Sequence, residues 1–188
     1  TSLEEIPLSK PYSIAYKTTS SIKNLLVKIV LKNGVYGLGA ASVSKYVVGV
    51  DTQEAFSAAK DYQSSLVGKN ISEVFKNIEA VEKDLSFNPG ARAAINIALH
   101  DVYCKHTNIS LGGLLGQKTS TLPTSVTVGI KSVSETIAEI EEYLAGGFKN
   151  IKIKLGEEVE KDIERMLKVQ ERFGNSIVVR IDANQGWS

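Results

Sequence analysis

Hydrophobic and polar positions follow a strand-like pattern at the start of the chain. Residues 25–31 are rich in β-forming side chains, and Asn33 and Gly34 follow them as a pair typical of tight hairpin turns. Residues 35–39 then return as a partner strand, and residues 7–16 predict another strand with a loop. The pattern therefore predicts an antiparallel meander at the N-terminus.

Apolar positions next recur at helical spacing in three segments. The first runs from a capped start at Asp51 to about Val67, and the second begins at Asn70 and continues to Val81. The third begins near Pro89, which suits a first helical turn because proline lacks the N–H that would be unpaired there. The pattern predicts three consecutive helices after the meander.

From residue 126 onward, short apolar runs alternate with amphipathic segments. The predicted elements are a strand over 126–130, a helix over 134–144, a strand over 150–155, a helix over 158–173 and a strand over 177–182. A βαβαβ order of this kind predicts a parallel sheet.

The repeat length of this second half bears on the type of sheet. Lys152 and Asp182 lie 30 residues apart, close to the roughly 31 residues per unit of a (β/α)₈ barrel. A doubly wound sheet fits the spacing nearly as well, although no G-x-G-x-x-G follows the first strand. We expect an N-terminal α+β domain over residues 1–121 and the first three strands and two helices of a barrel over residues 122–188. An open three-stranded piece would expose its edges, so we expect further barrel units after Ser188.

Composition narrows the range of functions without selecting one. The chain has 188 residues, of which 43% are hydrophobic and 23% charged, as in ordinary globular proteins. A net charge of +1 and the absence of any long apolar run give no indication of a nucleic-acid or membrane partner. Two histidines and one cysteine, Cys104, argue against a zinc site. No signal peptide is visible and a single cysteine fits a reducing compartment, so we expect a cytoplasmic protein.

Two lysines are the first candidates for chemistry. Lys152 and Lys154 are two residues apart on a predicted strand, so their side chains face the same side, opposite to Ile151 and Ile153. In a barrel the apolar pair would pack under the helices and the lysines would point inward. Two neighbouring ammonium groups in a low-dielectric interior favour the neutral amine that a general base needs. An exposed edge strand would give the same pattern, so the spacing alone leaves both interpretations open.

Asp182 is the second candidate, because it ends the last predicted strand. Active sites of β/α barrels lie at the C-terminal ends of the strands, and a carboxylate there suits a hard cation such as Mg²⁺. Alternatively, Asp182 or Asn184 could simply cap the following helix. Lysines at one strand end and an aspartate at the next would place a base beside a metal ligand.

Five sequence segments together carry a resemblance to a known family. They are Lys152-Ile153-Lys154, residues 180–187 (R-I-D-A-N-Q-G-W), residues 91–101 (A-R-A-A-I-N-I-A-L-H-D), Leu114-Leu115-Gly116 and residues 37–40 (G-L-G-A). The chain resembles the muconate-lactonizing subgroup of the enolase superfamily over essentially its whole length. The resemblance implies an α+β capping domain followed by a TIM-like (β/α)₇β barrel, truncated here after its third strand. Ala40 and His100 depart from the pattern of many relatives, and we expect His100 to be a core histidine rather than a catalytic one.

The resemblance also implies a reaction and roles for the candidate residues. Members of the family use Mg²⁺ and a lysine base to remove the proton α to a carboxylate, which gives an enediolate. Lys154 would be the base, and Lys152 would lie beside the substrate carboxylate. Asp182 would be the first of three metal ligands. The other two ligands, and a lysine on the opposite face of the substrate, would come from later strand ends.

Substrate choice follows from weaker features of the same resemblance. Thr127, Lys152 and Tyr16 would contact the substrate, and the segments around residues 37–49 resemble dipeptide epimerases. The capping loop, about Tyr12–Ser21, holds one cation, Lys17, which favours a small or apolar second residue over an acidic one. We also expect the full-length enzyme to be a homo-oligomer.

Two other functions stay open on the same residues. A cycloisomerase or an o-succinylbenzoate synthase would share Lys152, Lys154 and Asp182 with a dipeptide epimerase. A non-catalytic binding protein on the same fold would tolerate loss of the remaining metal ligands. An Asp-x-Asp near the last barrel strands, to hold a substrate ammonium group, would favour the epimerase.

Overall fold

The structure, a computed structural model, describes residues 1–14, 17–184 and 186 and separates into two compact units. The first unit contains Thr1–Pro7 and Ser21–Lys118, and the second contains Leu8–Ser20 and Thr119–Ser188. Each unit has its own cluster of buried apolar side chains. Among the helices of the described residues, none has the length and apolar character that a membrane crossing needs.

The N-terminal sheet has the strand order β1-β2-β3. Its strands are β1 (Ser2–Ile14), β2 (Lys17–Val30) and β3 (Tyr36–Ser42). β2 and β3 are antiparallel, with Val27 opposite Gly39, which confirms the predicted pair. The turn between them is one residue longer than the two-residue turn that Asn33-Gly34 indicated. Gly34 has φ +87° and forms a bulged turn closed by the Leu31 N–H, which donates to the Val35 carbonyl at 2.8 Å.

The hairpin formed by β1 and β2 is longer than predicted. β1 continues to Ile14 and β2 begins at Lys17, so most of the expected loop over residues 12–21 is strand. The hydroxyl groups of Ser13 and Thr18 lie 2.8 Å apart across this hairpin. Cross-strand bonds of this kind stabilise extended backbone where hydrophobic alternation is weak.

Helices occupy the remainder of the first unit. They are α1 (Lys45–Val48), α2 (Thr52–Leu66), α3 (Val74–Asp84), α4 (Pro89–Thr107) and α5 (Leu111–Leu115). The predicted start of α2 is confirmed, since Asp51 and Glu54 form a reciprocal capping box. The predicted helix from Asn70 begins instead as a 3₁₀ turn, Ile71–Glu73, before α3. α1 was not predicted, because four residues are too few to show a helical period.

Strands and helices alternate in the second unit. After Thr119, its elements are β4 (Ser125–Val128), α6 (Val133–Ala145), β5 (Asn150–Lys154), α7 (Val159–Phe173), a 3₁₀ turn (Gly174–Ser176) and β6 (Val178–Asp182). The sheet order is β4-β5-β6, and both strand pairs are parallel, as predicted. β4 ends two residues before the predicted boundary.

The core of the second unit lies between one face of the sheet and its two helices. Ile151 and Ile153 from β5 are fully buried, as are Val128 from β4 and Ile140 from α6, and Val169 from α7 is 1% exposed. These side chains alternate along β5 and recur at helical spacing in the helices, so the hydrophobic pattern alone determines which face of β5 is covered.

The first unit depends on a close approach of α4 to β3. Gly39 faces the helix, and a Cβ atom at that position would lie 2.7 Å from the Ala98 amide nitrogen and closer still to the Ala94 carbonyl. Gly37 is equally restricted by the backbone of Ala98 and Val102. Since backbone atoms cannot rotate away, these two positions admit only glycine.

We therefore expect Gly39→Ala to lower the free energy of unfolding of the protein by about 1–3 kcal/mol, the usual cost of an overpacked core. Gly112→Ala is the matched control, because Gly112 lies in a helix and its added Cβ would approach no atom closer than 3.6 Å. Urea denaturation followed by circular dichroism measures both. Equal unfolding midpoints for the two variants would contradict the proposed close approach.

Candidate active site

The C-terminal ends of the parallel strands bring the predicted site residues to one edge of the sheet. Lys154 pairs with Asp182 across β5 and β6, and Lys152 pairs with Thr127 across β4 and β5. Paired residues on parallel neighbours face the same side of the sheet. Thr127 therefore lies on the face that carries the lysines, and it is exposed.

The two lysines lie on the sheet face opposite to the helices. Because Ile151 and Ile153 fill the core beneath the helices, Lys152 and Lys154 must project from the other face of β5. Their exposure differs, since the Lys154 side chain is 10% exposed and the Lys152 side chain 35%. The predicted arrangement of the two faces is confirmed, and Lys154 is the more enclosed of the two amines.

Both ammonium groups contact the same carboxylate oxygen. Asp182 Oδ2 lies 2.6 Å from Lys152 Nζ and 2.8 Å from Lys154 Nζ. The other carboxylate oxygen, Oδ1, accepts the Asn184 N–H at 2.9 Å. Hydrogen bonds from Lys152 and then Lys154 hold the pKa of Asp182 well below its usual range, with a smaller contribution from the Asn184 amide.

Asn184 is a further member of the site. Its backbone has φ +46°, a left-handed conformation that asparagine tolerates better than most residues. Its side-chain oxygen accepts a hydrogen bond from Lys154 Nζ. The sequence offered Asn184 only as a helix cap, so this contact was missed; its position two residues after Asp182 was the available signal.

The oxygen atoms of the site are ligands of the kind that a hard cation binds, but they are too few for a complete metal site. Asp182 and Asn184 offer a carboxylate and an amide oxygen, the ligand types that Mg²⁺ prefers. Within residues 1–14, 17–184 and 186, no three His, Cys, Asp or Glu side chains gather as a metal site. Asp182 therefore fits a magnesium ligand, provided that further carboxylates come from elsewhere.

The sequence prediction also named Tyr16 and His100. Tyr16 is not among the described residues, so its expected substrate contact stays a prediction. His100 belongs to the first unit, where its Nδ1 lies 2.9 Å from Asn96 Oδ1 and its ring meets the edge of Phe75. The hydrogen bond agrees with the expected histidine, but the side chain is half-buried and does not belong to the core of its unit.

Comparison with known proteins gives the family. Residues 1–116 match the model of the mandelate racemase / muconate lactonizing enzyme N-terminal domain, and residues 135–188 match the enolase C-terminal domain-like model. The chain belongs to the mandelate racemase / muconate lactonizing enzyme family of the enolase superfamily. The resemblance inferred from the sequence segments is therefore confirmed.

Similar proteins within that family are dipeptide epimerases. The chain is 42% identical over 186 residues to an L-Lys-D/L-Arg epimerase of Desulforapulum autotrophicum. The aligned region covers 98% of this chain and 52% of that protein. It is similar in structure to a dipeptide epimerase of Methylococcus capsulatus complexed with Mg and L-Arg-D-Lys, with a TM-score of 0.93 and 39% identity over 100% of this chain and 53% of the other. The substrate-liganded L-Ala-D/L-Glu epimerase of Bacillus subtilis gives a TM-score of 0.92 at 31% identity, over 99% of this chain and 52% of the other. The chain spans about half the length of these relatives.

The depressed pKa of Asp182 gives a prediction for acid conditions. A carboxylate whose pKa is lowered by folding adds stability above its unfolded value of about 3.9, and that stability is lost as the pH falls through the folded pKa. In metal-free protein, we expect the Asp182 carboxyl ¹³C signal to titrate below the ordinary range. Lys152→Met should move the titration upward, whereas Lys161→Met, which removes an exposed partner of Glu158, should not. An ordinary Asp182 titration in the wild type would show that the lysines do not hold the carboxylate.

Proposed function

We propose that the protein is a Mg²⁺-dependent dipeptide epimerase, an isomerase that removes the proton α to the carboxylate of the substrate's C-terminal residue and returns it on the opposite face. The observation that carries the proposal is the meeting of Lys152, Lys154 and Asp182 at one strand edge. The similarity to proteins named dipeptide epimerases supports the same substrate class.

Lys154 is the proposed base for one stereoisomer of the dipeptide. It is the more enclosed of the two amines, and a base shielded from water removes a carbon-bound proton more readily than a hydrated one. Lys152 is more exposed, and its ammonium group is proposed to lie beside the substrate carboxylate. Neutralising that carboxylate lowers the cost of the second negative charge that forms in the enediolate.

Asp182 is the proposed magnesium ligand from this part of the chain, and the bound ion would supply positive charge to the substrate carboxylate. In the described structure, Asp182 Oδ2 is occupied by both lysines. To act as the base, Lys154 would give up its bond to Oδ2 and lose one proton to solvent, and its neutral amine would then accept the α-proton of the substrate. The remaining ligands and the second lysine, for the opposite face, are proposed to lie on later strands.

The finer architecture is part of the proposal. We propose that residues 1–121 form the α+β capping domain and residues 122–188 begin a (β/α)₇β barrel. The parallel β4-β5-β6 sheet, with helices on one face and lysines on the other, supports a barrel, because its inner face would then carry the site. A cytoplasmic location and a homo-oligomeric state stay predictions.

The proposed substrate contacts are those of Thr127, Lys152 and Tyr16. Thr127 is supported by its place beside Lys152 on the exposed face of the sheet. Lys17, the single cation of residues 12–21, argues against an acidic second residue. The name of one relative, L-Lys-D/L-Arg epimerase, makes cationic dipeptides a necessary part of any substrate screen.

Removal of the proposed base should affect one stereoisomer selectively. A positioned base contributes roughly 10²–10⁴-fold, so Lys154→Ala should slow solvent exchange of the α-proton of one diastereomer by about that factor. The other diastereomer, served by the second lysine, should lose much less in its exchange half-reaction. NMR in D₂O, with L-Ala-L-Xaa and L-Ala-D-Xaa dipeptides of apolar, cationic and acidic Xaa, measures both rates.

Lys161→Ala is the control for that experiment, because Lys161 is an exposed lysine that pairs with Glu158 on the same unit. Both diastereomers should exchange normally in this variant. Wild-type exchange of both isomers by Lys154→Ala would exclude Lys154 as the base. Dehydration of an o-succinylbenzoate precursor without any dipeptide exchange would show that the site has o-succinylbenzoate synthase activity instead.

Loss of the carboxylate should separate metal binding from folding. In the complete protein, Asp182→Asn should weaken Mg²⁺ binding at least roughly tenfold and nearly abolish turnover, because an amide oxygen carries no charge for the cation. The circular dichroism spectrum should be unchanged. Isothermal titration calorimetry with Mg²⁺ measures the affinity, and equal affinities of variant and wild type would rule out Asp182 as a ligand. Asp61→Asn, at an exposed position of α2 in the first unit, is the control.

A further inference from the structure

A buried ion pair lies behind the candidate site and has no part in the chemistry proposed above. Asp162 and Arg165 are three residues apart on α7, and they are 6% and 3% exposed. Arg165 Nη2 lies 2.9 Å from Asp162 Oδ1. Charged side chains are rarely buried this completely unless they have specific partners, so the partners of this pair indicate what it does.

The partners are backbone groups at the end of β5 and in the loops that follow β4 and β5. Arg165 Nη2 donates to the Lys154 carbonyl at 2.6 Å, and Arg165 Nη1 donates to the Lys131 carbonyl at 3.1 Å. Asp162 Oδ2 accepts the Gly156 N–H at 2.7 Å. The pair therefore holds the backbone of the proposed base and that of the turn directly after it.

The turn after β5 has little freedom on its other side. Gly156 has φ +105°, and a Cβ atom there would lie 2.8 Å from the Ala183 carbonyl. The Leu155 N–H donates to the Asp182 carbonyl at 3.1 Å. The backbone that follows Lys154 is thus enclosed between the ion pair of α7 and the turn that carries the magnesium-ligand candidate.

A contribution to stability does not by itself explain why this ion pair is buried. A buried ion pair often contributes no more than apolar side chains of the same size would, because desolvation offsets the attraction between the charges. The Arg165 Nε atom is also buried without a hydrogen-bond partner among the described residues, which adds a cost. What the guanidinium provides, and an apolar side chain could not, is fixed directional bonds to two carbonyl groups.

We propose that Arg165, oriented by Asp162, is a positioning residue that fixes the backbone of Lys154 and so keeps its ammonium group in place for proton transfer. The proposal rests on the proposed function, since it takes Lys154 as the base. Arg165 acts through Lys154 and does not touch the substrate.

Arg165→Lys in the complete protein tests this inference, because lysine keeps the charge but cannot bond three acceptors in one plane. Exchange of each dipeptide diastereomer in D₂O is measured as before, and the isomer served by Lys154 is the one that Lys154→Ala slows. We expect Arg165→Lys to slow that isomer at least about tenfold, part of the usual contribution of a base, and the other isomer less than about threefold. A loss that is equal for both isomers would show a general structural role and overturn the proposal, as would wild-type rates for both.

Arg172→Lys is the matched control. Arg172 lies on the same helix but is exposed and pairs with Glu141, so the same substitution there should leave both exchange rates unchanged. A similar isomer-selective loss in Arg172→Lys would show that the effect is not specific to Arg165 and would overturn the proposal.

A second measurement separates this proposal from the proposed function. The ¹⁵N signal of the Lys154 ammonium group, assigned by its loss in Lys154→Arg, should shift or broaden in Arg165→Lys but not in Arg172→Lys. If the wild type exchanges no dipeptide, the epimerase function fails and this signal decides the positioning role alone. An unchanged Lys154 signal would overturn it.

Asp162→Asn covers the case in which Arg165→Lys does not fold, as judged by circular dichroism. Asparagine keeps the size of the side chain and one acceptor but removes the charge that orients Arg165. The same selective loss for the Lys154-served isomer and the same change of the Lys154 signal are expected. Equal losses for both isomers, or an unaltered signal, would overturn the proposal.

Discussion

The parallel register of β5 and β6 is the constraint on which the site depends. It places Lys154 opposite Asp182, so an amine and a carboxylate that are distant in sequence meet at one strand edge. A shift of β5 by one residue would turn Lys154 toward the helices and leave Asp182 on the other face, because side chains alternate between the two faces of a strand. Ile151 and Ile153 prevent that shift, since their full burial under α6 and α7 would be lost with it. The apolar face therefore determines the geometry of the polar one.

A second feature of the site is that its charged side chains have specific hydrogen-bond partners. Asp182 accepts hydrogen bonds from two ammonium groups and one backbone amide, and these keep it ionised. On the helix side of the sheet, Arg165 and Asp162 bind backbone groups in addition to each other. Charges on both sides of β5 thus act on the position of one lysine, which is the proposed base.

Much of this arrangement was predictable from the sequence, because it follows from periodicity. Alternation on β5 identified the lysine face, and the βαβαβ order identified the parallel sheet. The contacts of Asn184 and Arg165 were not predictable, since they depend on a left-handed backbone and on a helix packing over two strand ends. Charged residues at 162 and 165, on the α7 face that also carries the buried Val169, were the available signal for the ion pair. The length of the β1-β2 hairpin was missed, because cross-strand hydroxyl pairs leave no hydrophobic pattern.

A crystal structure of the complete protein grown with Mn²⁺ in place of Mg²⁺ tests the central claim most directly. The anomalous signal of manganese locates the cation without any assumption about the ligands. The account predicts an anomalous peak within bonding distance of the Asp182 carboxylate, on the lysine face of β5, with Lys154 Nζ no longer bound to Oδ2. A peak remote from Asp182, or saturating metal with both lysines still on Oδ2, would contradict it.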